Sequence, residues 1–208
     1  MDLVGNLLAP TLIQADVNFR EGPAAAVGRT KEEIMSVRLI AAIAAVCLAT
    51  SGAFAQNAGK PTDPQIAHIA YTAGQIDIEA AEQALNKSQN KDVREFATDM
   101  ERDHKAVNDK ALALVKKLNV TPEDNNTSKT LSKQAADKRA ELAKLNGAAF
   151  DKAYIDNEVA YHKTVNSALQ NTLIPSASNS ELKDLLTTGL KIFQGHQQHA
   201  EHVAAELK

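Results

Sequence analysis

Apolar side chains recur every three or four residues along most of this chain, a spacing that predicts amphipathic α-helices. The segments with this spacing are 63–88, 91–118, 129–145, 148–173 and a last one that starts at Ser180. No segment shows the alternation of β-branched and polar residues that favours a strand. Turn formers separate the segments, and Pro175 is expected to break the fourth helix. The sequence therefore predicts an all-α fold.

The lengths of these segments also indicate how the helices connect. Four segments are long, and the shorter one at 129–145 lies within the stretch 119–146. That stretch is long enough to run from one end of a bundle to the other, as the crossover of a ferritin-like bundle does. We therefore predict a ferritin-like four-helix bundle over residues 63–208, with a long crossover that contains a shorter extra helix.

Residues 35–55 have the pattern of a secretory signal peptide. A basic start at Arg38 precedes a short apolar run over 39–50, and an Ala-x-Ala cleavage site ends at Ala55. The apolar run is shorter than the ~20 residues that a membrane span needs. We therefore expect cleavage before Gln56, no stable membrane span afterwards, and a periplasmic or secreted mature protein. An uncleaved anchor is the alternative.

The predicted signal peptide begins at an internal methionine, Met35. Residues 1–34 would then be a disordered upstream extension, either an over-extended gene start or a long signal n-region. After cleavage, residues 56–62 would form a polar, flexible lead. The single cysteine, Cys47, lies in the predicted signal peptide, so the mature protein must be stable without a disulfide.

The charge balance argues against nucleic acid as a partner. The chain carries 23 Lys and Arg against 26 Asp and Glu, a formal net charge of −3. The predicted mature part keeps a small negative balance, which provides no basic field for a phosphate backbone. The sequence does not indicate any protein partner.

Three histidines lie on the apolar faces of three different predicted helices: His104, His162 and His196. At a rise of about 1.5 Å per residue, they fall within about one helical turn of the same level in a bundle. A buried imidazole needs a partner, since an unsatisfied polar group in a core is costly. The shared partner could be a metal ion, a carboxylate or a set of hydrogen bonds.

Carboxylates are predicted to lie near the same level. Asp77 and Glu79 belong to the first helix, and this mixture of imidazole and carboxylate suits Zn, Fe or Mn. We therefore predict a divalent-metal site whose candidate ligands are His104, His162, His196, Glu79 and Asp77. We expect five further residues to orient these ligands without binding the metal themselves: Asp103, Asn108, Glu101, Glu158 and Tyr154.

The spacing of the carboxylates limits the kind of metal site. Glu101 precedes His104 by three residues, which is the Glu-x-x-His pairing of carboxylate-bridged di-iron bundles. Glu158 precedes His162 by four residues, so the second such motif is missing and a di-iron oxidase is disfavoured. Two other hypotheses remain open. One is a non-enzymatic module of the cell envelope whose buried network fixes helix register, and the other is an enzyme that uses the cluster for redox or hydrolytic chemistry.

Four motifs carry a family resemblance: GQIDIEAAE at 74–82, VREFA at 93–97, MERDHKAVN at 100–108 and GAAFDKAY at 147–154. Together with His162 and His196, they resemble the exported bacterial family called domain of unknown function 4142. The resemblance covers roughly residues 63–207 and implies a ferritin-like bundle outside the cytoplasm, with no established activity. The hypothesis of an exported metal-binding protein links the predicted metal site to metal or oxidative stress. The positions that match the family are Asp77, Glu79, Asp103, His104, Asn108, Asp151, Tyr154, His162 and His196. The family often has Glu at the position of Asp77.

Overall fold

The computed structural model describes residues 59–207, and this part of the chain folds as a bundle of helices. The helices are α1 (Asp63–Lys87), α2 (Lys91–Lys117), α3 (Asn126–Ala143), α4 (Gly147–Ala168) and α5 (Ser180–Glu206). Within the described range no strand occurs, which confirms the all-α prediction. The ferritin-like order of the helices stays a prediction.

The predictions for the N-terminal part of the chain fall mostly outside this range. The upstream extension at 1–34, the signal peptide at 35–55 and the first residues of the lead all precede the described residues. Of the helices between residues 59 and 207, none is both long and apolar enough to span a membrane.

Polar residues that cap the first turn explain where the helices begin. The Asn90 side chain accepts hydrogen bonds from the backbone N–H groups of Asp92 and Val93, at 2.9 and 3.2 Å. The Asn179 side chain accepts one from Leu182 at 3.0 Å, at the start of α5. In α3 the capping residue is Asn125, so this helix starts three residues before the predicted position 129. Each cap satisfies an N–H group that has no partner inside the helix.

The four long helices pack as two hairpins with a polar layer between two apolar clusters. The hairpins are α1 with α2 and α4 with α5; α2 also packs against α5, and α3 crosses over α1. One apolar cluster centres on Phe96 and Phe150, and the other includes Leu169 and Phe193. Between them lie five polar side chains that we call the polar layer: Asp77, His104, Glu158, His162 and His196.

The fourth helix continues past the point at which the sequence predicted a break. A π-helical turn at Leu169–Leu173 leads into the short helical turn Ile174–Ser176, which contains Pro175. The backbone N–H of Ile174 bonds to the carbonyl of Leu169, five residues earlier. Because proline lacks an N–H and its ring crowds the preceding turn, a wider turn accommodates it. The helix therefore ends one residue after Pro175 and not before it.

Gly74 on α1 lies directly against the side chain of Asn108 on α2. A Cβ atom at position 74 would overlap Oδ1 of Asn108, whose Nδ2 donates a hydrogen bond to the carbonyl of Tyr71 at 3.3 Å. Gly→Ala in an open helix interior is favourable by about 1 kcal/mol. Here we expect Gly74→Ala to lower the free energy of unfolding by about 1–3 kcal/mol through overpacking. Denaturant titration would measure this, and adding Asn108→Ala should restore part of the loss. A more stable Gly74→Ala protein would contradict the packing described here.

Candidate metal centre

Four helices contribute side chains to the polar layer, and all five of these side chains are buried. Asp77 comes from α1, His104 from α2, Glu158 and His162 from α4, and His196 from α5. The exposed fraction is 1–2% for four of them and 6% for His196. Burying three imidazoles and two carboxyl groups in one layer is costly unless they interact with one another or with a ligand.

The three histidines lie close enough together to share one ion. Their ring centroids are 5.2 Å (His104 to His196), 5.6 Å (His162 to His196) and 5.8 Å (His104 to His162) apart. One nitrogen from each ring lies within 4.8 Å of the other two. Because a zinc–nitrogen bond is about 2.0–2.1 Å long, small side-chain rotations would bring all three nitrogens onto one ion.

Hydrogen bonds fix the orientation of two of these rings. His162 donates from Nδ1 to the backbone carbonyl of Glu158 at 3.0 Å, and His196 donates from Nε2 to Oδ2 of Asp103 at 3.1 Å. The opposite nitrogens, Nε2 of His162 and Nδ1 of His196, are buried and have no hydrogen-bond partner. A neutral imidazole that donates from one nitrogen carries a lone pair on the other. A carbonyl or carboxylate behind the ring is the usual arrangement for a metal-binding histidine.

His104 is held mainly by its packing. Its ring stacks on Phe193, with centroids 4.5 Å apart and planes 9° apart, and its Nε2 lies 3.4 Å from Oδ2 of Asp77. Neither of its ring nitrogens makes a hydrogen bond. Burial, together with the other two imidazoles, holds the pKa of His104 well below its usual value. His104 is therefore neutral at pH 7, which is the form that binds a metal.

The other two histidines are also kept neutral. Burial lowers the pKa of His162 to about 4, despite the opposing hydrogen bond to the Glu158 carbonyl. Burial also lowers the pKa of His196, while Asp103 opposes that shift. At pH 7 the layer thus presents three uncharged imidazoles, and no proton has to leave them before a metal binds.

Two carboxyl groups complete the layer. One oxygen of Asp77, one of Glu158 and one nitrogen of His162 form a second group whose atoms lie within 4.8 Å of one another. Burial raises the pKa of Asp77 well above its usual value, and it raises the pKa of Glu158 to about 7. The buried polar residues between 59 and 207 include no lysine or arginine. The described residues therefore include no buried lysine or arginine side chain that could balance the negative charge of these carboxylates.

Tyr154 lies beside the carboxyl groups, on the same face of α4 as Glu158. It is fully buried, its hydroxyl has no hydrogen-bond partner, and burial raises its pKa, with the charges of Glu158 and Asp77 adding to the effect. Asp151, one turn earlier, is also buried and has one oxygen without a partner. Asn108 instead bonds to the α1 backbone.

The structure does not bring two of the predicted site residues to the layer. Glu79 pairs with Arg139 of α3 at 2.7 Å, with 39% of its side chain exposed. Two residues along a helix correspond to a rotation of about 200°, so Glu79 cannot share the face of Asp77. Glu101 pairs with Lys105 at 3.2 Å on the surface of α2.

Glu158 takes a more central position than its predicted supporting role. Its spacing of four residues from His162 placed it on the correct face, and the structure shows it fully buried beside Asp77. The i to i+4 spacing was the available sequence signal.

A family model described as a domain of unknown function (DUF4142) matches residues 48–203. The chain belongs to this family. The matched range of this DUF4142 protein includes all five residues of the polar layer. No curated protein and no solved structure matches the chain.

Proposed function

We propose that the protein binds one divalent transition-metal ion in the polar layer through His104, His162 and His196. The observation that carries this proposal is the convergence of three buried, neutral imidazoles, each with at least one ring nitrogen that makes no hydrogen bond. Asp77 is a candidate for a fourth coordination position, because its carboxylate is fully buried in the layer and its Oδ2 lies 3.4 Å from Nε2 of His104. A set of imidazole and carboxylate ligands fits Zn, Fe or Mn.

Charge balance supports one ion per chain. Asp77 and Glu158 together carry two negative charges once both are ionised, and a single divalent cation neutralises them. Two divalent cations would leave the layer with an excess of buried positive charge, which is costly at low dielectric. Binding of one ion would also favour the ionised form of both carboxyl groups, because a nearby positive charge lowers a carboxyl pKa.

The alternative function is a structural or interaction module in which the layer only fixes the register of the helices. In that case Nε2 of His162, Nδ1 of His196 and both ring nitrogens of His104 have no hydrogen-bond partner. The Asp77 and Glu158 carboxyl groups can bond to each other when one of them is protonated. A buried polar group without a partner costs about 1–3 kcal/mol. A bound cation would satisfy these atoms together, which is why we favour the metal-binding function.

The predicted signal peptide adds a cellular setting to this proposal. Export would place the bundle in the periplasm or outside the cell. We propose that it acts there in metal handling or in the response to metal or oxidative stress. A hydrolytic or redox activity would need a coordination position open to substrate. All five side chains of the layer are buried, so we propose binding as the primary function.

Metal stoichiometry tests the proposal. The mature protein, purified without a His tag, would be incubated with Zn²⁺, desalted and submitted to elemental analysis. We expect about one ion per chain, since the three histidines define one position. His162→Gln should lose the ion, whereas Glu79→Gln, which alters a carboxylate outside the layer, should keep it. Retention of zinc by His162→Gln, or no uptake of Zn²⁺, Fe²⁺ or Mn²⁺ by the wild type, would refute the proposal.

A further inference from the structure

An apolar cavity of about 50 Å³ lies in the bundle core, between Phe193 and the connection from α4 to α5. Well-packed cores contain few voids larger than a water molecule. One water molecule occupies about 10–15 Å³ on the same measure, so this cavity has room for a ligand. The cavity forms where short side chains from four helices face one another: Ala67 and Ala70 on α1, Ala111 on α2, Ala168 on α4 and Gly189 on α5.

The wall of this cavity offers few hydrogen bonds to water. Of the described residues that line it, only Asn108 has a polar side chain, and its Nδ2 already donates to the carbonyl of Tyr71 at 3.3 Å. A buried water molecule usually makes about three hydrogen bonds, and apolar cavities without such partners stay dry and take up apolar molecules. A larger cavity of about 140 Å³ between α1, α3 and α4 differs, because Gln134 and Asn157 in its wall can bond to water.

The cavity can be reached from solvent between α2 and α5. Val107 and Ala111 on α2 and Leu185 on α5 line it, and all three are half-buried. An uncharged apolar molecule can pass these side chains, whereas an ion would lose its hydration there at a high cost. Leu169 and Leu173, which begin and end the π-helical turn, also belong to the wall. Turns of this kind are frequent at functional sites.

We propose that this cavity binds a small uncharged apolar molecule of about two or three heavy atoms, the class that includes dioxygen. The volume sets the size, because a cavity of about 150 Å³ takes benzene and this one has about 50 Å³. An occupant restores packing contacts that the lining atoms lack when the cavity is empty. The site is separate from the proposed metal site, but Phe193 borders both, since its ring stacks on His104 with centroids 4.5 Å apart. The occupant therefore lies one aromatic ring away from the polar layer.

Xenon is the probe for this site, because it is uncharged and apolar and enters dry apolar cavities. Methyl NMR spectra of the metal-free mature protein would be recorded at increasing xenon pressure. We expect saturable shifts of the Val107, Val165 and Leu186 methyl signals, which belong to the cavity wall. The methyl groups of Val93 and Val203, in the other apolar cluster, should show no saturable shift. Because no metal is present, failure of the proposed metal site would leave this result unchanged.

Gly189→Ala and Gly195→Ala are a matched pair of variants on α5. A Cβ atom at position 189 would lie 3.4 Å from the Phe193 ring and 4.0 Å from Val107, so the methyl group fits in the cavity without overlap. A Cβ atom at position 195 would have nothing within 4 Å. We expect Gly189→Ala to weaken xenon binding roughly tenfold, because its methyl group takes up space that the occupant needs. Gly195→Ala should bind xenon with wild-type affinity.

Ala111→Leu fills the cavity from a different helix and should also weaken xenon binding. Xenon binding with wild-type affinity by both Gly189→Ala and Ala111→Leu would overturn the proposal. Wild-type shifts that do not saturate, or equal shifts of the Val93 and Val203 methyl groups, would overturn it as well. Saturable binding of benzene at the same methyl groups would show that the size class is wrong.

Discussion

Saturating the metal-free protein with Zn²⁺ is expected to raise its melting temperature by roughly 8–16 °C. A ligand that binds only the folded state at about 1,000 times its dissociation constant adds about 4 kcal/mol to the free energy of unfolding. In a domain of about 150 residues, each kcal/mol raises the melting temperature by about 2–4 °C. Circular dichroism at increasing temperature, with Zn²⁺ or with a chelator, would measure the difference.

The same measurement on variants locates the ion. His104→Gln and His162→Gln should each lose most of the increase, because each removes one of the three proposed imidazole ligands. Glu79→Gln should retain it, since Glu79 pairs with Arg139 and lies outside the layer. An increase that persists in a His104→Gln/His162→Gln double variant would show that the ion binds elsewhere, and the proposed site would be wrong.

Glu158→Gln is expected to stabilise the metal-free protein at pH 8 by about 1–3 kcal/mol and to weaken metal binding at the same time. Burial raises the pKa of Glu158 from 4.5 to about 7, so between these pH values the folded state binds more protons than the unfolded state. The free energy of unfolding of the wild type therefore falls as the pH rises through this window. Glutamine has a similar shape but cannot ionise, and this removes the penalty. It also removes a charge that would neutralise the metal.

Urea titrations of both proteins at pH 5 and pH 8, with a chelator present, would test this prediction. The stabilisation should be largest at pH 8 and should fall to roughly a quarter of that at pH 5, where the wild-type carboxyl group is protonated in the folded state and only partly ionised in the unfolded state. The histidines act in the opposite direction: burial lowers their pKa values, so both proteins lose stability as the pH falls below about 6.5. That loss cancels when the two proteins are compared at one pH. A Glu158→Gln protein less stable than the wild type at pH 8 would contradict the prediction.

The helical fold and the burial of the three histidines were predictable, because the spacing of apolar residues shows which face of a helix is buried. On α2 and α5 one face is apolar and the other is charged, so the positions of His104 and His196 on the inner face follow from spacing alone. For these two helices, the buried side can be identified from the sequence without knowing how the helices pack.

The choice between Asp77 and Glu79 could not be made in this way. α1 packs against α2, α4 and α3, so Ile76, Ile78 and Ala80 are buried on different sides of this helix. With apolar residues on both sides, the spacing no longer identifies the face that points to the bundle centre. The three-dimensional packing distinguishes them: Glu79 pairs with Arg139 of α3, whereas Asp77 is buried beside His104.

The burial of Glu158 could not be predicted from the sequence for a different reason. A glutamate one turn from a histidine is common on exposed helix faces, where such pairs form weak surface interactions. The burial that raises the pKa of Glu158 depends on how α4 packs against helices distant in sequence, and this packing is not encoded in the local spacing.

The crossing helix α3 is attached to the rest of the bundle by fewer buried side chains than the other helices. It contributes only Ser128, Leu131 and Leu142 to the buried residues, and none of its side chains belongs to the polar layer. Local unfolding proceeds most readily where few apolar contacts are lost. α3 is therefore expected to detach and reattach as a separate unit, while the other four helices, which share the polar layer, open only together.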